Sequence, residues 1–168
     1  MKIIIINGVA GSGKDLFVKF FKKNYKYKCL NLSTIDDVKE ISEKYLGWDG
    51  IKTDKSRKLL SDFKKLWNDF NNGPFDSVIN KIKNFEDILR SENNIFFIHS
   101  REPEEIQKFV DYFKEKCITL LIKRNVEVPN NYSDKNVENF NYDYIIYNDG
   151  EISELEQKSI DFMKKVSK

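Results

Sequence analysis

This 168-residue sequence has two cysteines, one histidine and no long apolar run, and neither sign of charge predominates. No apolar stretch approaches the ~20 residues that a membrane-spanning helix needs, so we expect no membrane partner. The formal net charge is only +2, with acids and bases interspersed, so no strong field favours binding to nucleic acid. The length fits one domain, residues 1–168, with a full core.

The two cysteines, Cys29 and Cys117, lie in or beside predicted strands and have no metal-ligand spacing around them. Buried, reduced thiols are therefore the favoured interpretation, with a disulfide or a metal site as the alternative. Met1-Lys2 leads into a short apolar run without a cleavage pattern, so we expect no signal peptide and a cytoplasmic protein.

The most informative segment that is present follows four isoleucines, Ile3 to Ile6. A continuous apolar run, then a glycine-rich stretch, then an amphipathic segment predicts a buried strand, a loop and a helix. The stretch is Gly8, Val9, Ala10, Gly11, Ser12, Gly13, Lys14 and Asp15.

This arrangement is typical of a phosphate-binding P-loop. Its glycines can adopt backbone angles closed to other residues, so that successive N–H groups turn inward around an anion. Lys14 would then reach the outer phosphates, and the positive end of the following helix would add to the attraction. The alternative is that the glycines form only a tight strand-to-helix connection. Nucleotide binding is the prediction that agrees with strand, spacing, lysine and helix together.

Two positions depart from the usual pattern. Asp15 stands where a serine or threonine normally binds magnesium. His99, the single histidine, ends the predicted third strand, where many P-loop proteins place an acid that holds magnesium through water. We predict that His99 has a structural or orienting role rather than an acid–base role. Our hypothesis is that Asp15 binds the metal directly or through water, and supplies the charge missing at His99.

Five apolar strand candidates alternate with helical patterns, which predicts a parallel sheet covered on both faces. Between the second and third strands, two consecutive helices make an insertion at about residues 34–92. Residues 125–141 are polar and rich in asparagine, as in a lid or a flexible connection. The strand candidates are Lys2–Asn7, Tyr27–Leu32, Asn94–His99, Ile118–Arg124 and Tyr142–Tyr147.

Local signals also predict some details of the helices. Thr34 is expected to cap the helix that ends near Gly47. Ser153, with Glu156 three residues on, reads as a capping box at the start of the final helix. In the insertion, Trp67 and Phe70 belong to a helical apolar stripe, so packing is the favoured role for both, with ligand contact as the alternative.

Arginine is rare, and its placement matters because the guanidinium group grips phosphate oxygens in pairs. Arg101 and Arg124 each lie just past the carboxyl end of a predicted strand, at the edge where ligands bind in open parallel sheets. Arg57 falls near a helix start, where a cation opposes the helix dipole. Two interpretations of Arg57 are therefore left open, a residue that binds an anion and an ordinary surface side chain. Arg90 ends a helix and is interpreted as structural.

The chain resembles the P-loop nucleoside and nucleotide kinase superfamily, most of all the phage-type deoxynucleoside monophosphate kinases and their bacterial relatives, which also carry Gly-Lys-Asp. Animal phosphomevalonate kinases share that loop variant. Weaker agreement comes from Ser33 after strand two, His99-Ser100-Arg101 after strand three, Arg124, and Asn148-Asp149-Gly150 after the last strand. Relatives usually have Asp-x-Arg where this chain has His99-Ser100-Arg101.

The resemblance implies a three-layer α/β/α fold with a five-stranded parallel sheet in the order 2-3-1-4-5. It implies ATP and Mg²⁺ as ligands, with Gly8 to Lys14 around the donor phosphates. Asn148 and Gly150 would line the ATP base, and Trp67 or Phe70 could stack on an acceptor base. The residues implied in transfer and in clamping the acceptor phosphate are Lys14, Asp15, Arg124, Arg101, Arg57 and Ser33.

The expected reaction is transfer of the γ-phosphoryl group of ATP to a small phosphorylated acceptor, with a (deoxy)nucleoside monophosphate favoured. Dephospho-coenzyme A, a nucleoside and a phosphorylated alcohol remain alternative acceptors. A non-catalytic nucleotide-binding regulator is the alternative from another class. A guanine-specific Asn-Lys-x-Asp motif is absent, which disfavours a GTPase. The protein is expected to be a monomer or a homodimer.

Overall fold

The structure, a computed structural model, describes residues 1–26, 28–89, 93–125 and 136–167. Strands and helices alternate much as predicted. The strands are β1 (Lys2–Asn7), β2 (Cys29–Ser33), β3 (Ile95–His99), β4 (Cys117–Lys123) and β5 (Tyr144–Tyr147). The helices are α1 (Lys14–Asn24), α2 (Asp36–Leu46), α3 (Asp54–Asn71), α4 (Gly73–Leu89), α5 (Pro103–Phe113) and α6 (Ile152–Val166).

The five strands form one parallel sheet in the order β2-β3-β1-β4-β5, which confirms the expected fold class. β1 is central: Ile4 pairs with Phe97 of β3 on one side and with Ile118 of β4 on the other. The isoleucine run is fully buried because helices cover both faces of the sheet, as a parallel sheet requires.

The chain divides into two compact units, Met1–Asn31 with Ser91–Lys168, and Leu32–Arg90. The second unit covers nearly the same residues as the predicted insertion at 34–92; that both units make one kinase-like domain stays a prediction. Of the predicted lid at 125–141, residues 126–135 lie outside the described residues, as do Tyr27 of the second strand candidate and Arg90.

The core of the first unit lies between the sheet and helices α1 and α6. Phe17 and Phe21 of α1 are fully buried, and both pack against Phe162 of α6. The hydroxyl of Ser159 donates to the Phe17 carbonyl oxygen at 3.1 Å, which ties the two helices together. On β1 and β4, α5 packs with its buried Ile106 and other apolar residues. This packing fixes the start of α1, and with it the glycine-rich loop.

In the second unit, α2, α3 and α4 pack against one another. Asp37 in the first turn of α2 accepts hydrogen bonds from Ser77 and Lys81 of α4. Leu60, Val78 and other apolar side chains of this unit are buried. Within the described residues, no helix combines the length and the apolar character needed to cross a membrane.

Two predicted helix caps are wrong. Ile35, not Thr34, is the N-cap of α2, and the carboxylate of Asp36 instead accepts from the Ser33 N–H at 2.8 Å. Glu151 is the N-cap of α6, so the Ser153 capping box does not form. Gly47 does end α2, in the left-handed conformation that a glycine C-cap favours.

Candidate functional site

The glycine-rich loop leaves β1 at Asn7 and enters α1 at Lys14. Gly11 and Gly13 have φ values of +80° and +90°, in the left-handed region that only glycine adopts at low cost. Gly8 is needed for a second reason, since a Cβ there would lie 2.5 Å from the Ile122 carbonyl oxygen. The loop therefore has the backbone that the sequence predicted at its glycine positions.

Ser12 lies inside this loop and is fully buried. Its hydroxyl has no hydrogen-bond partner among the described residues. Buried polar groups in folded proteins are nearly always satisfied, so an orphaned hydroxyl within a glycine-rich loop fits a loop that receives an anionic ligand. The residues present thus suit the phosphates that the sequence predicts here.

The side chain of Lys14 folds back over the loop. Its Nζ donates to the Val9 carbonyl oxygen at 3.4 Å, a long and weak hydrogen bond. A phosphate oxygen would be a stronger acceptor, because a charge-assisted hydrogen bond is about twice as strong as a neutral one. Lys14 is therefore placed to exchange a backbone carbonyl for a phosphate.

The side chain of Asn7 joins three segments around the loop, and sequence reasoning missed it. Asn7 is 1% exposed; its Oδ1 accepts from the Gly8 N–H at 2.8 Å, and its Nδ2 donates to the Arg101 carbonyl oxygen at 3.1 Å. The same Nδ2 donates to the Tyr142 hydroxyl at 2.7 Å, and that hydroxyl donates to the Val137 carbonyl oxygen at 2.7 Å. The only sequence signal was a polar residue ending an isoleucine run.

Burial raises the pKa of Tyr142 to about 12, against a smaller lowering by the hydrogen bond from Asn7. The hydroxyl thus stays protonated at neutral pH and can act as both donor and acceptor in this network.

Asn148 supports the loop from the other side. Its Nδ2 donates to the Ser12 carbonyl oxygen at 2.8 Å, and its backbone N–H donates to the Lys123 carbonyl oxygen at 2.8 Å. A Cβ on Gly13 would lie 2.4 Å from Asn148 Nδ2, so the two residues are in close contact. The side chain of Asn148 therefore holds the loop; its predicted contact with a nucleotide base stays a prediction, as does that of Gly150.

Asp15 and His99, the two unusual positions, lie side by side. Nδ1 of His99 is 3.8 Å from Oδ1 of Asp15, and Nε2 of His99 is 2.7 Å from Oδ1 of Asn31. The side chain of Asp15 is 83% exposed in the first turn of α1, whereas that of His99 is 12% exposed. Asn31 is thus a hydrogen-bond partner of His99 that the sequence did not indicate, and the orienting role of His99 stays a prediction.

Mg²⁺ is usually held by one or two carboxylates together with phosphate oxygens and waters. Asp15 offers one accessible carboxylate next to the loop, so the residues present fit a metal that is bound jointly with phosphates. Across residues 1–26, 28–89, 93–125 and 136–167, no three or more His, Cys, Asp and Glu side chains cluster as a metal site.

Arg101 and Arg124 follow β3 and β4, the two strands that flank β1. Since the carboxyl ends of parallel strands share one edge of a sheet, the two arginines lie on the same edge as the loop; their roles in binding stay predictions. A pocket of about 370 Å³ adjoins this edge. Its lining residues are Val9, Leu121, Ile122, Lys123, Arg124, Asn125, Val137, Glu138, Tyr147 and Asp149.

The remaining predicted site residues belong to the second unit. Arg57 lies in the first turn of α3, after a capping box formed by Thr53 and Ser56, and Ser33 ends β2. Trp67 is partly buried and its ring lies against Gly73, but Phe70 is 82% exposed, so its predicted role in packing is wrong. Roles of these residues in acceptor binding stay predictions.

Both cysteines are free thiols, but each is partly buried rather than fully buried as the sequence had favoured. Burial raises the pKa of Cys29 and that of Cys117 to about 12. Neither is therefore a thiolate nucleophile at neutral pH.

Solved kinase structures share this fold at low sequence identity. A dephospho-CoA kinase from Campylobacter jejuni aligns with a TM-score of 0.53 at 14% identity, over 99% of this chain and 98% of that chain. A gluconokinase from Sinorhizobium meliloti 1021 aligns with a TM-score of 0.52 at 11% identity, over 99% of this chain and 93% of that chain. A shikimate kinase from Aquifex aeolicus aligns with a TM-score of 0.51 at 11% identity, over 97% of this chain and 96% of that chain. These likenesses establish the fold of P-loop kinases.

No protein-family model matches the sequence, and no curated protein matches it.

Proposed function

We propose that the protein is a cytoplasmic kinase, a monomer or a homodimer, that transfers the γ-phosphoryl group of ATP to a small phosphorylated acceptor. A (deoxy)nucleoside monophosphate is the favoured acceptor. The observation that carries the proposal is the glycine-rich loop with its orphaned Ser12 hydroxyl and with Lys14 lying over it, bracketed by Arg101 and Arg124. The fold of the small-molecule kinases described above supports the same reaction class.

In this proposal the chain acts by alignment and by neutralising charge. Lys14 and the loop amides hold the donor phosphates, Arg124 lies over the transferring group, and Arg101 holds the acceptor phosphate, with Arg57 and Ser33 as further acceptor contacts. A phosphorylated acceptor is already anionic, so little general-base catalysis is needed. Mg²⁺, when bound at Asp15, supplies further neutralisation of phosphate charge.

The test is to incubate the protein with ATP, Mg²⁺ and a panel of acceptors, and to measure ADP and the phosphorylated product. The panel contains the nucleoside monophosphates, a nucleoside, dephospho-coenzyme A and a phosphorylated alcohol. Diphosphate formed from a monophosphate supports the favoured acceptor. Tight nucleotide binding without acceptor-dependent ADP release would instead identify a regulator, a reading that the unusual Asp15 and His99 keep open.

Lys14→Ala is the decisive variant. Because one well-placed donor to developing charge is worth about 10²–10³-fold in turnover, we expect a loss of that order with the fold intact. Lys19→Ala is the matched control, since Lys19 is an exposed lysine on the same helix and its loss changes the net charge equally. Equal turnover in Lys14→Ala and Lys19→Ala would contradict the proposed mechanism.

A further inference from the structure

The imidazole of His99 has its proton placement fixed by Asn31. An amide oxygen only accepts hydrogen bonds, so the 2.7 Å contact with Asn31 Oδ1 requires Nε2 of His99 to carry a proton. With the proton on Nε2, Nδ1 is the ring nitrogen that can bind a metal. That side faces the carboxylate of Asp15. Two Lewis-basic atoms, one nitrogen and one oxygen, therefore converge beside the phosphate loop.

The separation of these two atoms permits a shared cation. Ligand atoms lie about 2.0–2.2 Å from a small divalent cation, so two that share one ion are at most about 4.4 Å apart. Nδ1 of His99 and Oδ1 of Asp15 are 3.8 Å apart, within that limit. Histidines that bind metals also donate their other ring N–H to an oxygen acceptor, which is the arrangement that Asn31 provides.

We infer that His99 Nδ1 and the Asp15 carboxylate bind the same divalent cation, and that the imidazole makes this site favour first-row transition metals over Mg²⁺. The inference rests on the proposed function, which places nucleotide phosphates in the loop and so supplies further oxygen ligands. Mg²⁺ prefers an all-oxygen set, whereas an imidazole nitrogen suits metals later in the first row. The exposure of Asp15 leaves room for phosphate oxygens and waters around the ion.

The single histidine of the chain makes a direct test possible. The tag-free protein is loaded with Mn²⁺ and ADP, and pulsed electron paramagnetic resonance detects nitrogen bound to Mn²⁺. Labelling with ¹⁵N-histidine assigns the signal, because any histidine nitrogen must come from His99. We expect a ¹⁴N coupling that changes on labelling and disappears in His99→Ala.

Metal affinities in the presence of ADP give a second readout. We expect His99→Ala to weaken Mn²⁺ and Co²⁺ binding on the order of tenfold or more, and Asn31→Ala to weaken it about tenfold through loss of orientation. His99→Asp should restore an all-oxygen site, and so shift the ratio of Mg²⁺ to Mn²⁺ affinity towards Mg²⁺.

The possible outcomes separate this inference from the proposed function. Normal ADP binding with no histidine coupling, or an unchanged metal ratio in His99→Asp, would overturn the shared site and leave the kinase proposal intact. Failure of calorimetry to detect ADP or ATP with any of these metals would overturn both. A ¹⁴N coupling in the wild type with no acceptor-dependent turnover would support the site in a protein that only binds nucleotide.

Discussion

The loop glycines make a quantitative prediction. Gly11 and Gly13 have similar φ values of +80° and +90°, so alanine at either position costs about 1–2 kcal/mol of backbone strain. About 0.4–1 kcal/mol of that is offset because alanine restricts the unfolded chain. We therefore expect Gly11→Ala, whose Cβ meets nothing within 4 Å, to destabilise the protein by only about 0–1.6 kcal/mol.

Gly13→Ala carries the same backbone cost and a steric one. Its Cβ would lie 2.4 Å from Asn148 Nδ2 and 3.3 Å from a methyl group of Leu155. Asn148 must move, and its 2.8 Å hydrogen bond to the Ser12 carbonyl oxygen is lost in a buried setting. Leaving such groups unsatisfied costs about 1–3 kcal/mol, which is the expected difference between the two variants.

Urea denaturation of both variants measures this difference, and calorimetric titration with ADP reports on the loop itself. Gly13→Ala should also weaken ADP binding, because Asn148 no longer holds the loop. Equal unfolding free energies for Gly11→Ala and Gly13→Ala would refute the argument that Asn148 fixes the backbone at Ser12. Gly11→Ala is the matched control, because the φ values of the two glycines are similar and a Cβ at Gly11 meets nothing within 4 Å.

Two further predictions concern buried polar groups. Tyr142→Phe removes the hydrogen bond that Tyr142 accepts from Asn7 and the one that it donates to the Val137 carbonyl oxygen, so thermal and urea denaturation should show a loss of about 1–2 kcal/mol. Unchanged stability would show that the network does not hold the loop. Burial acts to raise the pKa of Asp37, but hydrogen bonds from Lys81 and Ser77 and the charge of Lys81 hold that pKa below its ordinary value of 3.8. Because the pKa of Asp37 is lower in the folded than in the unfolded state, its carboxylate stabilises the fold at pH values above 3.8. This contribution is lost as the pH falls through the folded-state pKa. The stability advantage of wild type over Asp37→Asn, from urea denaturation between pH 6 and pH 3, should therefore shrink in acid, and an advantage independent of pH would contradict this.

Much of the fold was predictable because it depends on continuous apolar runs. The run Ile3–Ile6 is buried on both faces, and β1 has the predicted bounds. The order of the strands came from the resemblance, since periodicity alone does not determine which strands pair. Helix starts were less predictable, because residues able to cap a helix occur at several neighbouring positions and helix ends vary by one or two residues. Thr34 is an example: Ile35, one residue later, is the N-cap of α2.

The site was predictable only where its chemistry is local in sequence. The loop residues lie within one stretch, and their spacing determines the backbone. The partners of Asn7 lie far along the chain: Arg101 is 94 residues away and Tyr142 is 135 residues away. No periodicity or motif marks such pairs, because only the folded sheet brings them together. The predicted packing of Phe70 was wrong because helical spacing does not show what covers a side chain: Phe70 matched the apolar stripe, yet it is 82% exposed.

The two departures from the usual P-loop pattern can be understood together. In the proposed site, the negative charge near the metal lies on Asp15, in the first turn of α1, where the helix dipole stabilises a carboxylate. A second carboxylate at position 99, beside Asp15, would repel it unless a cation lay between them. A neutral imidazole at that position avoids this repulsion while still offering a ligand atom. The substitution thus preserves one negative charge beside the phosphates and changes the chemical preference of the site from oxygen alone to oxygen and nitrogen.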